Sequence, residues 1–279
     1  MLSILYGLSS ALVWGAADFC GGLASRKARP YQAVLLGEAV GLAFLLVLAR
    51  LSGEPLLTLR NYLVCFAGGG MGVLGLLLFF YSMTKGQMTV AAPVSALSAT
   101  LLPVIVGSIQ EGFPGLLTFS GFLLALVAVW LISRSGEGPQ TLHLKLKDLA
   151  IPLIAGVSFG GYLVLMHQGS QGLLIMPMVA ARTAGTLIML LYALVGRRPV
   201  TPGGNIWPLV LLNGFLDVGG NGLYILAGQA GRLDVAAVLA SLYPGSTVLL
   251  AGLLLHEKIN RPQLIGILAA LAAIVLMTI

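Results

Sequence analysis

Four ionisable side chains interrupt otherwise apolar stretches of this chain: Asp18, Glu38, Arg182 and Asp217. A charge near the centre of a bilayer costs roughly 2.5–3.5 kcal/mol on insertion scales, so each needs a partner or a water-filled cavity. Asn213, Asp217 and Asn221 stand at i, i+4 and i+8, which aligns them along one helical stripe, and Tyr224 continues it. Arg182 is expected to pair with Asp217, either as a static bridge or as a charge clamp for a zwitterionic solute such as an amino acid. Asp18 follows Trp14 by one turn, so ring and carboxylate share a face. That pair suits an organic cation, which favours carboxylates and aromatic faces; the alternative is an ion pair with Arg26, Lys27 or Arg29 at the membrane edge. For Glu38 that edge pairing is the expectation. Tyr243, beside Pro244, is expected to face a cavity, while the hydroxyls around the prolines serve mostly in packing.

The elements that must position these groups are membrane helices. Apolar residues make up 58% and charged residues 9%, against roughly 25% charged in a soluble domain. About 20 apolar residues cross the hydrocarbon core as a helix. Such runs lie near 2–23, 31–51, 61–82, 88–110, 114–133, 149–170, 173–196, 207–228, 233–255 and 262–279. The fold class is therefore all-α integral membrane, with ten transmembrane helices. The first span has no basic residues ahead of it and exceeds a signal peptide's apolar region, so it is expected to be retained.

The chain also repeats itself. Gly86-x-x-x-Val90-Ala91-Ala92 returns 145 residues later as Gly231-x-x-x-Val235-Ala236-Ala237. The same shift maps Gly15 to Gly160, Gly69 to Gly214, Gly75 to Gly220, Leu97 to Leu242, Gly121 to Gly266 and Ala125 to Ala270. Residues 1–133 form one five-helix repeat, 134–148 a cytoplasmic linker and 149–279 the second repeat. Five is odd, so the second copy enters the membrane from the opposite side. Two inverted repeats around a central cavity point to a secondary transporter working by alternating access, with its site between the halves. Proline-interrupted helices are expected at corresponding places, at Pro93 and Pro103 and again at Pro244.

Trp14-Gly15-Ala16-Ala17-Asp18-Phe19, Leu242-Tyr243-Pro244 and His256-Glu257-Lys258, with the weaker counterpart Leu97-Ser98 and Glu111, resemble the EamA family of the drug/metabolite transporter superfamily. The resemblance implies ten helices around a cavity lined mainly by helices 1, 3, 4, 6, 8 and 9, and export of small metabolites. One departure concerns charge: the loop between helices 1 and 2 is basic (Ser25-Arg26-Lys27-Ala28-Arg29), where many members place basic residues before the first helix. Direction of transport does not carry over.

The formal charge of +6 reads as topology and not as nucleic-acid binding. Loops after odd-numbered spans hold 11 basic residues, and those on the other face only Arg50, Arg60 and Arg232. Basic loops stay cytoplasmic, which places both termini on the non-cytoplasmic side of a cell (inner) membrane. Cys20 and Cys65 lie in apolar spans without His or Cys neighbours, which argues against a disulfide framework or a metal site. No phosphate loop or other cofactor motif is visible, so transport runs on gradients, with protons as a candidate coupling ion. The rival enzymatic reading rests on His143-x-x-x-x-Asp148, the spacing of an acyltransferase pair, in a linker that reads equally well as a basic segment on anionic lipid. An inert membrane scaffold is the third class. The expected function is export of amino acids or similar zwitterions, with organic cations as the alternative cargo. The candidate binding residues are Trp14, Asp18, Arg182, Asn213, Asp217, Asn221, Tyr224 and Tyr243. Partners are a small-molecule substrate and the bilayer, for a monomer or homodimer.

Overall fold

The computed structural model describes residues 1–84, 88–132, 146–202, 204–254 and 260–278. Most of the linker, with His143, lies outside the described residues, as do Lys85, Gly86 and the His256-Glu257-Lys258 motif. The side chain of Asp148 is also not described.

Eleven helices form ten spans among the described residues: α1 Leu2–Lys27, α2 Pro30–Ser52, α3 Leu59–Thr84, α4 Met88–Glu111, α5 Leu116–Ile132, α6 Leu146–Ser170, α7 Ile175–Val195, α8 Trp207–Gln229, α9 Leu233–Ala240, α10 Tyr243–Leu254 and α11 Arg261–Thr278. Seven of them (α1, α2, α3, α4, α6, α7 and α8) are long and apolar enough to cross a membrane, and α5 and α11 are shorter and equally apolar in character. Local sequence sets the ends. Pro30 opens α2, where its missing N–H is no loss, and Gly53 closes it with φ 65°, a left-handed conformation suited to glycine.

The ninth span breaks at Ser241–Leu242, between α9 and α10. Pro244 has no N–H to continue the ladder across this point. Ser241 Oγ donates to the Val238 carbonyl at 2.7 Å and Thr247 Oγ1 to the Tyr243 carbonyl at 3.3 Å. The matching break expected in the first repeat is absent: α4 runs unbroken through Pro93 and Pro103. Its neighbour α6 packs closely there, the Ala99 carbonyl lying against Gly160. Backbone freed by a proline is tolerated within a helix when neighbouring helices surround it.

Equivalent helices of the two halves start 145 residues apart at α2 and α7, α4 and α9, and α5 and α11. Packing follows the same correspondence. α1 lies along α8 and α3 along α6; α4 lies on α6 as α9 and α10 lie on α1; α2 meets α7 and α5 meets α11. Six glycines of the duplication sit at these seams, because small residues let helices approach closely in lipid. Gly15 faces the backbone of Tyr243 and Gly160 that of Ala99; Gly75 faces Phe159 and Gly220 faces Trp14; Gly121 faces the Ala273 carbonyl and Gly266 that of Ala128. Exchanging the halves maps the last two pairs onto each other residue for residue and the first to within one residue, Tyr243 answering to Ser98 beside Ala99. Lipid-facing positions stay apolar and exposed, as at Leu12, Leu46, Leu63, Leu190 and Leu268.

Candidate functional site

A cavity of about 120 Å³ lies between the halves. Its walls come from spans 1 (Trp14, Asp18), 3, 4, 6, 8 and 9, as expected, and also from span 2 through Glu38 and span 7 through Met178, Ala181 and Arg182. The two additional spans carry its main ionic feature. Arg182 Nη1 donates to Glu38 Oε1 at 2.6 Å, and Arg182 Nη2 forms an ion pair with Asp217 Oδ2. One guanidinium thus answers two carboxylates.

This geometry corrects the edge pairing expected for Glu38. Its carboxylate faces inward to α7, where Gly185 leaves room for it, while Gly41 leaves room for Arg182. The duplication contained a signal for this. A shift of 145 aligns residue 37 with Arg182, so Glu38 and Arg182 occupy neighbouring levels on the equivalent helices α2 and α7, which meet.

The network continues into α6. Asn221 Nδ2 donates to Asp217 Oδ2 at 3.0 Å, and the Tyr162 hydroxyl donates to Asn221 Oδ1. Tyr162 went unremarked in the sequence because an isolated Tyr in an apolar helix carries no distinguishing pattern. Phe159 lines the cavity at the place equivalent to Trp14, and Thr100 and Ser241 add hydroxyls that are already donated, to Leu97 and Val238 carbonyls.

Of the sequence-derived candidates, Trp14, Asp18, Arg182, Asp217, Asn221 and Tyr243 line the cavity. Asn213 and Tyr224 do not. Asn213 Nδ2 donates to the Ala17 carbonyl at 2.8 Å, and its amide lies over Gly37 and Gly21, so it staples α8 to α1 and α2. Tyr224 is buried behind Trp14, with ring centroids 5.8 Å apart, and its hydroxyl donates to the Leu163 carbonyl at 3.2 Å. The stripe of four splits because α8 is gripped on several sides, and only part of its polar face meets the cavity.

Asp18 is different in kind. Among the described residues no cation or hydrogen-bond donor engages its carboxylate, and it faces the cavity with Trp14 and Tyr243 alongside.

Charged and polar contacts tie the halves together at both ends of the bundle. Glu54, in the α2–α3 loop, accepts from the backbone N–H groups of Leu174, Ile175 and Met176 at 2.9, 2.9 and 3.0 Å, capping α7. At the opposite end, the Pro199 carbonyl accepts from the Tyr31 hydroxyl and Gln32 Nε2, each at 2.9 Å. A shift of 145 aligns Glu54 with Pro199, so the same joint is made once with a side-chain acceptor and once with a backbone one. Arg232 adds a further tie on the Glu54 side, donating to the carbonyls of Glu111 and Gly112 at 3.2 and 2.6 Å and holding Asp234 at 2.7 Å.

A duplicated all-helical membrane bundle whose largely apolar cavity holds Asp18, Glu38, Arg182 and Asp217 between its halves has the architecture of a small-solute carrier. The chain belongs to the EamA-like transporter family, whose profile matches residues 1–134 and again residues 147–279, and so to the drug/metabolite transporter superfamily. It is a multi-pass membrane protein. No curated protein matches the chain. The solved structures similar to it include a crystal structure with a TM-score of 0.79 over 99% of this chain and 98% of that one, at 16% identity. That likeness concerns the fold alone.

Proposed function

We propose that this chain is a secondary transporter moving small organic cations, amines or quaternary ammonium ions, by alternating access, with Asp18 as the counter-ion of the cargo. The observation that carries the reading is the division of charge in the cavity. Arg182 is engaged by Glu38 and Asp217 together, so no guanidinium is left for a substrate carboxylate, as a zwitterion clamp would need. Among the described residues Asp18 has no partner, and it shares the cavity wall with Trp14 and Tyr243, whose aromatic ring faces attract cations. An amino acid could be held only if Arg182 first released a carboxylate.

Supporting the carrier reading, the exchange of contacts between residues 1–133 and 149–279 fits inverted repeats, and equivalent joints close both ends of the bundle. Two related conformations expose such a site alternately. The distribution of basic residues favours a cell (inner) membrane, with both termini on the non-cytoplasmic side. Each chain encloses a whole cavity, so a monomer suffices for transport.

A thermal-shift panel on detergent-purified protein tests the cargo class. A ligand at a hundred times its dissociation constant stabilises by about 2.7 kcal/mol. Quaternary ammonium ions or protonated amines should raise the melting temperature of wild type and leave Asp18→Asn unmoved. Stabilisation by zwitterionic amino acids that persists in Asp18→Asn would overturn the assignment in favour of the amino-acid reading.

A further inference from the structure

Basic residues gather on one surface away from the cavity. Lys27 ends α1, Arg29 precedes α2, and Arg197 and Arg198 follow α7, all four exposed. Packing brings these turns side by side. Ala24 of α1, Ala33 of α2 and Ile206 before α8 belong to one buried cluster, and Gln32 Nε2 donates to the carbonyls of Pro199 and Thr201, each at 2.9 Å. Of the acidic side chains the structure describes, Asp18, Glu38 and Asp217 line the cavity, and Glu54, Glu111 and Asp234 make their contacts at the opposite end. We propose that this surface is a binding site for the headgroup of an anionic phospholipid, with Arg198 holding the phosphate.

Arg198 is oriented by the fold itself. After α7 the chain turns through Arg197 in the left-handed region, at φ 48°, an uncommon conformation for a residue with a side chain. The Arg198 N–H fastens the turn by donating to the Ala193 carbonyl at 2.8 Å. The Arg198 side chain then lies across Gly196, where a Cβ would come within 2.7 Å of its Nε. Its guanidinium stands over the Tyr192 ring, 4.4 Å from the centroid, and 5.8 Å from that of Tyr31. These two rings meet edge to face, and the Tyr31 hydroxyl is anchored on the Pro199 carbonyl at 2.9 Å. Stacking occupies the face of the guanidinium and leaves its N–H edge for phosphate oxygens, which a planar fork can grip in pairs.

The surroundings fit a lipid and not a soluble phosphate. Tyr192 and Trp207 are partly exposed at the ends of their spans, the level at which such rings mark the membrane–water boundary. Below Tyr192, Ile188 stands on the same face of α7, one turn closer to the bilayer centre. With Leu187 and Leu191, also exposed, it offers an apolar wall for acyl chains. Charge alone attracts anionic lipid to any basic residue near a membrane, about fivefold in affinity for each. A pre-oriented guanidinium adds a charge-assisted hydrogen bond, a factor of roughly ten to a hundred. The site therefore predicts unequal arginines and lysines, where diffuse attraction predicts equal ones.

Native mass spectrometry of the full chain, titrated with phosphatidylglycerol or phosphatidylcholine of the same acyl chains, separates the two. Wild type should retain phosphatidylglycerol in preference. Arg198→Gln should lose affinity about tenfold or more, and Lys27→Gln no more than about fivefold. Tyr192→Leu changes no charge and should still lose about two- to fivefold, as the ring under the guanidinium is removed. Arg198→Lys should fail to restore binding, because an ammonium has no fork. These positions are exposed, so the variants should fold. Equal retention of the two lipids would overturn the site. So would equal losses in Arg198→Gln and Lys27→Gln with Tyr192→Leu unaffected, or displacement of the lipid by inorganic phosphate.

Discussion

Two aspartates share one cavity, and their surroundings differ: Asp217 meets Arg182 and Asn221, while Asp18 lies on the wall with Trp14 and Tyr243. Among the described residues Asp18 has no partner to lose, so Asp18→Asn should fold with a melting temperature no lower than wild type, since removal of an unpaired charge relieves desolvation. Circular dichroism melting checks this, and a large drop would reveal a structural role. Glu38 is the contrasting case. Glu38→Ala removes one of two carboxylates from a buried guanidinium and opens a void against Gly185. Arg182 keeps Asp217, so the loss is that of one charge-assisted hydrogen bond, about 1.5–3 kcal/mol, and the expected outcome is a lowered melting temperature. Arg182→Lys should not rescue as a conservative change, because an ammonium does not offer the planar fork that reaches two carboxylates at once.

At the scale of helices, close approach matters more than local propensity. Gly15 and Gly160 hold equivalent places, and a Cβ at either would come within 2.6 and 2.7 Å of the Tyr243 and Ala99 carbonyls respectively. Each Gly→Ala change should therefore destabilise by about 1–3 kcal/mol as overpacking, and by similar amounts if the halves are equivalent. Side-by-side thermal melts would show it. Glu54 makes a different contribution, since its carboxylate satisfies three N–H groups at the start of α7. Glu54→Ala removes a helix cap, which costs about 0.5–2 kcal/mol, and unfastens one half from the other at that end. Faster alkylation of a cysteine placed at Met178 is the expected sign of that loosening.

For the molecule as a whole, the skeleton is symmetric and the chemistry is not. Under the 145-residue shift Trp14 answers to Phe159, but Asp18 answers to Leu163, Asp217 to Gly72, Asn221 to Leu76 and Arg182 to Gly37. The first half keeps α3 smooth for packing against α6, and the second half makes the equivalent face of α8 polar. An even number of spans also fixes both termini on one face. With the basic loops cytoplasmic, a reporter fused after Thr278 should be active only in the non-cytoplasmic compartment; cytoplasmic activity would reverse the orientation.

Much of this was legible without coordinates, because membrane physics writes itself into sequence. Length and apolarity of the runs determined the ten spans, the fixed shift determined the duplication, and the rarity of intramembrane charge singled out Asp18, Glu38, Arg182 and Asp217. Tertiary structure alone decided what each charge meets. Glu38 turned inward because α2 crosses α7 where Gly41 and Gly185 open a gap, a fact of helix rotation that one-dimensional spacing does not contain. Asn213 and Tyr224 left the cavity for the same reason: a helical stripe gives a direction, and only the neighbouring helices determine whether that direction ends in a wall or a void.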